Sequence, residues 1–136
     1  MPLPSLQPLA LAGLAALVAA CSGSPRLSAA QQRERYTAYA QAPVNSFTWL
    51  GHFYSWQTLG DNQLVVFTTP SDAYLLTVQT PCNQLPFAQT VGLSSTAGTV
   101  HARLDSVTVQ GWRCPITEIR PIDYARMRAD LRASGG

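Results

Sequence analysis

The chain has no lysine. All nine basic residues are arginine, seven residues are acidic, and charged side chains amount to only 12% of 136 residues. A net charge of +2 falls short of the concentrated basic footprint that nucleic-acid binding calls for, so no nucleic-acid partner is expected. An all-arginine set points to GC-rich codon usage and not to an activity. Local signatures of catalysis are missing as well. There is no Gly-x-Ser-x-Gly elbow, no His-Glu-x-x-His helix and no phosphate-cradling glycine loop. The expectation is a non-enzymatic chain with no catalytic residues, no cofactor and no metal.

Nor is any apolar run long enough to span a bilayer, which takes about 20 residues. The longest, residues 9–20, consists of Leu, Ala, Val and one Gly, a length suited to a signal-peptide core. Residues 1–8 hold no Arg, so the terminal amine is the only charge ahead of that core. The run closes on Val18-Ala19-Ala20-Cys21, where the small Ala side chains let a peptidase approach the backbone. A Cys directly after them resembles the lipobox of bacterial lipoproteins. That resemblance implies an acylated Cys21 as the membrane anchor, held stably because two or more acyl chains are carried. Ser22 follows in place of the Asp associated with inner-membrane retention. The expected location is therefore the outer membrane, facing the periplasm. The plain alternative is a secreted chain cut before Cys21, leaving a free thiol.

Three cysteines are an odd number for an exported protein. Assigning Cys21 to lipid leaves Cys82 and Cys114 as a pair in an oxidising compartment, and a disulfide is expected between them. Two buried thiols or a redox pair are the alternatives; the absence of Cys-x-x-Cys spacing argues against redox chemistry. The organisation expected is a signal peptide over residues 1–20, a tether and N-terminal helix over 21–44, and a compact β-rich domain with a C-terminal helix over 45–136.

Ser28 precedes a run of good helix formers and reads as an N-cap. Residues 47–59 read as an aromatic strand ending at the Gly60-Asp61-Asn62 turn, and residues 64–69 as a second strand. Alternation of Tyr74, Leu76 and Val78 marks a third. Leu85, Ala88 and Val91 recur with spacing three around Pro86, predicting a short helix or helical turn over 83–92. A fourth strand carries Val100, Ala102 and Leu104, then changes face near Asp105-Ser106 to continue with Val107 and Val109, which implies a bulge or bend. After a Gln110-Gly111 turn, residues 112–120 return, with Pro115 predicting an edge strand or a local irregularity. Asp123 caps a final helix with Tyr124, Met127 and Leu131 on one face. The fold class is thus mainly β: a small five-stranded antiparallel barrel or strongly curved sheet with short flanking helices. Its topology is similar to an oligonucleotide/oligosaccharide-binding barrel, which also sets a helix between its third and fourth strands.

The aromatic strand is the leading candidate site. Phe47, Trp49 and Phe53 share one face under period-two alternation, and Leu50, Tyr54 and Trp56 share the other. One face lines the interior; the other is either covered core or an exposed binding patch. Trp49, Phe53, Trp56 and Trp112 are the candidate ligand contacts, with glycan or peptidoglycan, or another envelope protein, as the partner. His101, Arg103 and Asp105 read as a solvated strand face, and two such ligands fall short of a zinc site. His52 reads as a partly buried polar group. A hydrolase is the less favoured alternative; it needs His52 or His101 beside an acid in a cleft. Asp61 and Asp72 read as turn residues, and Arg120 as a structural partner of Glu118 or Asp123.

Several segments resemble a family of small proteobacterial lipoproteins whose domain has no assigned function. They are Ala42-Pro43-Val44-Asn45-Ser46-Phe47, Trp56-Gln57-Thr58-Leu59-Gly60-Asp61, Ala73-Tyr74-Leu75-Leu76, Pro81-Cys82, Val91-Gly92-Leu93, and Cys114-Pro115 running through Ile119-Arg120-Pro121-Ile122-Asp123. The resemblance implies export and one compact domain, and supplies no activity.

Overall fold

The structure is a computed structural model that describes residues 26–135. The processing site and Cys21 lie outside the described residues. Along the chain come α1 (Ala29–Ala38), β1 (Ser46–Thr48), β2 (Ser55–Thr58), β3 (Gln63–Phe67) and β4 (Ala73–Val78). A 3-10 turn (Leu85–Phe87) leads to β5 (Gly92–Leu93), β6 (Thr99–His101), β7 (Ser106–Val109), β8 (Trp112–Ile122) and α2 (Tyr124–Gly135).

In β3, four successive residues, Leu64 to Phe67, are all buried, a pattern that needs cover on both faces of the strand. Side chains alternate along a strand. Leu64 and Val66 accordingly enter one core, and Val65 and Phe67 another. In β4 the same alternation sends Leu76 and Val78 to the first core, and Ala73 and Leu75 to the second. Each fully buried Leu or Val here contributes roughly 1.5–3 kcal/mol.

The main sheet is antiparallel with strand order β2-β3-β4-β8-β7-β5, and β1 pairs with β6 in a separate two-stranded sheet. Six strands curl into a half-barrel, so of the two expected forms the strongly curved sheet is the one present, with six strands in place of five. The aromatic segment breaks in two, because β1 and β2 belong to different sheets. Phe47 pairs with Val100 across the small sheet, and both side chains are buried in the first core. Phe47 also stacks on Tyr74 of β4, with ring centroids 4.4 Å apart. The β1–β6 ribbon thus caps the open side of the half-barrel. The short helix or helical turn expected over 83–92 is a 3-10 turn, with Leu85 buried as its plug.

The strand β8 is internal, paired with β4 on one side and β7 on the other, so Pro115 does not mark an edge. Its partner Ser106 directs its N–H to Ser94 Oγ and accepts from the N–H of Ser94. The Pro115 carbonyl accepts from Gln79 instead. No ladder bond across that pair depends on a donor from Pro115. Thr77 pairs with Glu118 and Val78 with Ile116, which leaves Thr117 as the extra residue of a bulge.

The second core is covered by the two helices. Ser28 caps α1 in a reciprocal box with Gln31, and Tyr36 is the buried residue of that helix. Asp123 accepts from the N–H of Arg126 at the start of α2, and Met127 is buried. Leu131 does not share that face's burial; it is 38% exposed. Tyr39 donates to Asp130 at 2.7 Å, tying the end of α1 to α2, and that hydrogen bond holds the Tyr39 phenol above its ordinary pKa. Arg120 is structural, but its partners are the carbonyls of Gln41 at 2.8 Å and Ala40 at 3.1 Å. It does not pair with Glu118 or Asp123.

Candidate functional site

The turn between β7 and β8 sets the position of the most exposed tryptophan described. Gln110 and Gly111 both have positive φ, +50° and +86°, the backbone of a primed two-residue hairpin. Trp112 follows, opposite Val109, and is 65% exposed. Two residues on, Cys114 stands at disulfide-bonding distance from Cys82, their Cα atoms 5.9 Å apart. That bridge draws the segment after β4 against β8. Pro81, Asn83 and Gln84 then face Trp112 and Arg113 across a cleft of about 140 Å³. Phe87, 71% exposed, lies beside the same turn, its carbonyl 3.5 Å from the Gln110 side-chain amide. The cleft offers a flat indole, two primary amides and a guanidinium. Those are groups for stacking on an apolar face while hydrogen-bonding hydroxyls, amides or a carboxylate around its edge.

A second cleft, about 230 Å³, is lined by Thr48, Leu50, His52, Thr68, Thr69, Asp72 and Tyr74. His52 and Asp72 meet here, but no hydrogen bond joins them among the described residues. The Asp72 carboxylate accepts from the Thr69 hydroxyl at 2.8 Å, which closes the β3–β4 turn. The His52 carbonyl accepts from the Trp49 indole at 3.1 Å. Burial pushes the Tyr74 phenol up, and the Asp72 charge adds to that shift.

His101, Arg103 and Asp105 do not form the expected solvated face. After β6 the chain turns tightly, with Arg103 at φ +67° and the N–H of Asp105 donating to the His101 carbonyl. Asp105 is carried inward and is 4% exposed. Its carboxylate accepts from Ser94 Oγ at 2.8 Å and from the His101 N–H at 2.7 Å. The His101 ring nitrogen Nδ1 lies 3.4 Å away. Burial opposes ionisation of Asp105, yet these hydrogen bonds together outweigh it and hold the carboxyl below its usual range. A serine, an acid and a histidine are therefore adjacent, but in the wrong order for nucleophilic catalysis. The Ser94 hydroxyl donates to the acid and not to the imidazole that would activate it.

The structure separates the candidate aromatic residues. Trp49, Phe53 and Trp56 are partly buried and packed against the first core, with Trp49 and Phe53 in ring contact at 5.5 Å. Phe53 and Trp56, assigned by alternation to opposite faces, meet one core because the chain between β1 and β2 is irregular. Of the four, Trp112 is the one that lines either of the two clefts described above. Asn83, Gln84 and Arg113 were not among the expected contacts, although each lies within two positions of a bridged cysteine. The Cys82–Cys114 pairing was the signal that could have found them. Among the described residues no group of three or more His, Cys, Asp or Glu is placed to hold a metal, and no helix is long and apolar enough to cross a membrane.

These features define a small disulfide-bridged half-barrel domain. The chain belongs to the family of unknown function DUF6491, whose model matches residues 5–135. No curated protein and no solved structure matches the chain.

Proposed function

We propose that this chain is a non-catalytic binding module of the bacterial cell envelope. It is anchored to the periplasmic leaflet of the outer membrane through an acylated Cys21 and takes a glycan, such as a peptidoglycan fragment, at the Trp112 cleft. The observation that carries the reading is the exposed Trp112 beside a covalently bridged cleft. Burying an indole is among the largest apolar gains available to a small domain, and leaving it in water is informative when a shaped, polar-edged cleft adjoins it. Sugars present an apolar face ringed by hydroxyls, which suits an indole flanked by Asn83, Gln84 and Arg113. The address rests on the apolar run 9–20 and on Val18-Ala19-Ala20-Cys21, together with one bridged cysteine pair that leaves Cys21 over. Residues 21–44 serve as the tether and the α1 segment, and residues 45–136 carry the cleft.

Titration of the mature protein with soluble peptidoglycan fragments tests this. Tryptophan emission is expected to change on titration, and Trp112→Ala is expected to abolish the change while leaving Trp49 and Trp56 as internal controls. An emission signal that stays flat in the unsubstituted protein would sink the glycan reading. Hydrolysis is less supported, because neither His52 nor His101 is hydrogen-bonded to a nucleophile among the described residues.

A further inference from the structure

Charge is divided unevenly between the two layers of the fold. The helical layer, residues 26–39 and 123–135, holds six of the nine arginines but three of the seven acids. The rest of the described chain, which includes both sheets, therefore holds three arginines and four acids. Two of the three acids in the helical layer are engaged: Asp123 caps α2 and Asp130 accepts from Tyr39. Arg126, Arg128 and Arg132 are all exposed on α2, and Arg35 is half-buried on α1. Arg128 and Arg132 stand four apart, on the same side of the helix.

The chain enters this layer first. Cys21 precedes the Ser28 cap by seven residues, so whatever path they take the two lie at most about 25 Å apart. From this charge division and this short lead we infer that the outer face of α1 and α2 lies against the anionic headgroups of the membrane that anchors the chain. The inference rests on the lipid anchor proposed above and adds an orientation to it. Each arginine near an anionic surface strengthens the contact by on the order of fivefold. The bridged cysteines belong to the core on the opposite side of the main sheet from the helices. Seating the helices on lipid therefore turns the Trp112 cleft toward the periplasmic space, where a cell-wall ligand is reached.

The test uses the mature protein isolated from envelopes, reconstituted into vesicles of phosphatidylcholine alone or with phosphatidylglycerol. Amide hydrogen exchange is followed by mass spectrometry, and the intact mass reports acylation of Cys21. Peptides from α1 and α2 are expected to exchange more slowly on the anionic vesicles only, by about fivefold per engaged arginine. High salt should erase the difference, and Arg128→Gln with Arg132→Gln should shrink it by about 25-fold. The salt arm needs no substitution and so stands even if the variant folds poorly. An acylated protein whose helices exchange equally on both vesicles overturns the orientation and leaves the anchor intact. An unacylated Cys21 overturns the anchor, and the orientation with it.

Discussion

The Ser94 hydroxyl donates to the buried Asp105 carboxylate at 2.8 Å, and the same oxygen of Ser94 accepts from the Ser106 N–H at 2.8 Å. One hydroxyl thus joins β5 to the turn that leads into β7. Asp105 in turn holds the β6 end through the N–H of His101. A carboxylate is tolerated at this depth because each of its oxygens is met by a donor.

Asp105→Asn is expected to destabilise the domain by about 1–3 kcal/mol, since an acceptor is lost where buried donors remain. Urea denaturation reads this directly. The acid dependence has a fixed sign. The folded-state pKa of Asp105 is depressed, so its contribution is complete above the ordinary carboxylate range and fades as pH falls through the lower folded value. The unsubstituted protein should lose stability in that acid window, and Asp105→Asn should lose less there. Parallel pH curves for the two proteins would refute the assignment.

Opening the Cys82–Cys114 bridge, by reduction or by Cys82→Ser with Cys114→Ser, is expected to cost about 3–4 kcal/mol for a loop of this length. Its sequence separation is 32. The bridge also forms a wall of the Trp112 cleft. Glycan response should therefore weaken under reducing conditions even while the domain is still folded, as judged by circular dichroism.

On α2 two apolar residues of the same expected face should behave differently. Met127 is 4% exposed and Leu131 is 38% exposed. Met127→Ala should cost about 2–4 kcal/mol in thermal or chemical unfolding, and Leu131→Ala about 0.5 kcal/mol or less. Equal effects would mean that α2 does not seal the second core.

The tryptophans should divide in the same way. Trp112→Ala is expected to change stability by no more than about 0.5 kcal/mol while removing ligand response. Trp56→Ala, which strips a side chain packed on the first core, should cost about 2–3 kcal/mol. Chemical denaturation beside ligand titration separates the two roles.

Much of the fold is legible in short-range pattern. The Ser28 and Asp123 caps, the Gln110-Gly111 turn and the alternation in β4 follow from local backbone and burial rules, and each stands in the structure. The candidate site was less legible. Trp49, Phe53 and Trp56 resemble a binding strip because period-two alternation was carried through residues 49–54. There the chain leaves one sheet for another, and alternation has no meaning across such a break. Asp105 misled in the same manner: polar residues at alternate positions imply a wet face only while the strand continues, and this one turns after His101.

By itself the sequence determined the β-rich class, the pairing expected of Cys82 with Cys114, and the hairpin that presents Trp112. These depend on neighbours along the chain or on a cysteine count. Only the tertiary structure decided that the half-barrel stays open under the β1–β6 ribbon, that Asp105 is buried, and that Trp112 lines the cleft beside the bridged cysteines. Those outcomes are set by which strands meet and which faces they cover, and such long-range contacts leave no period in the sequence.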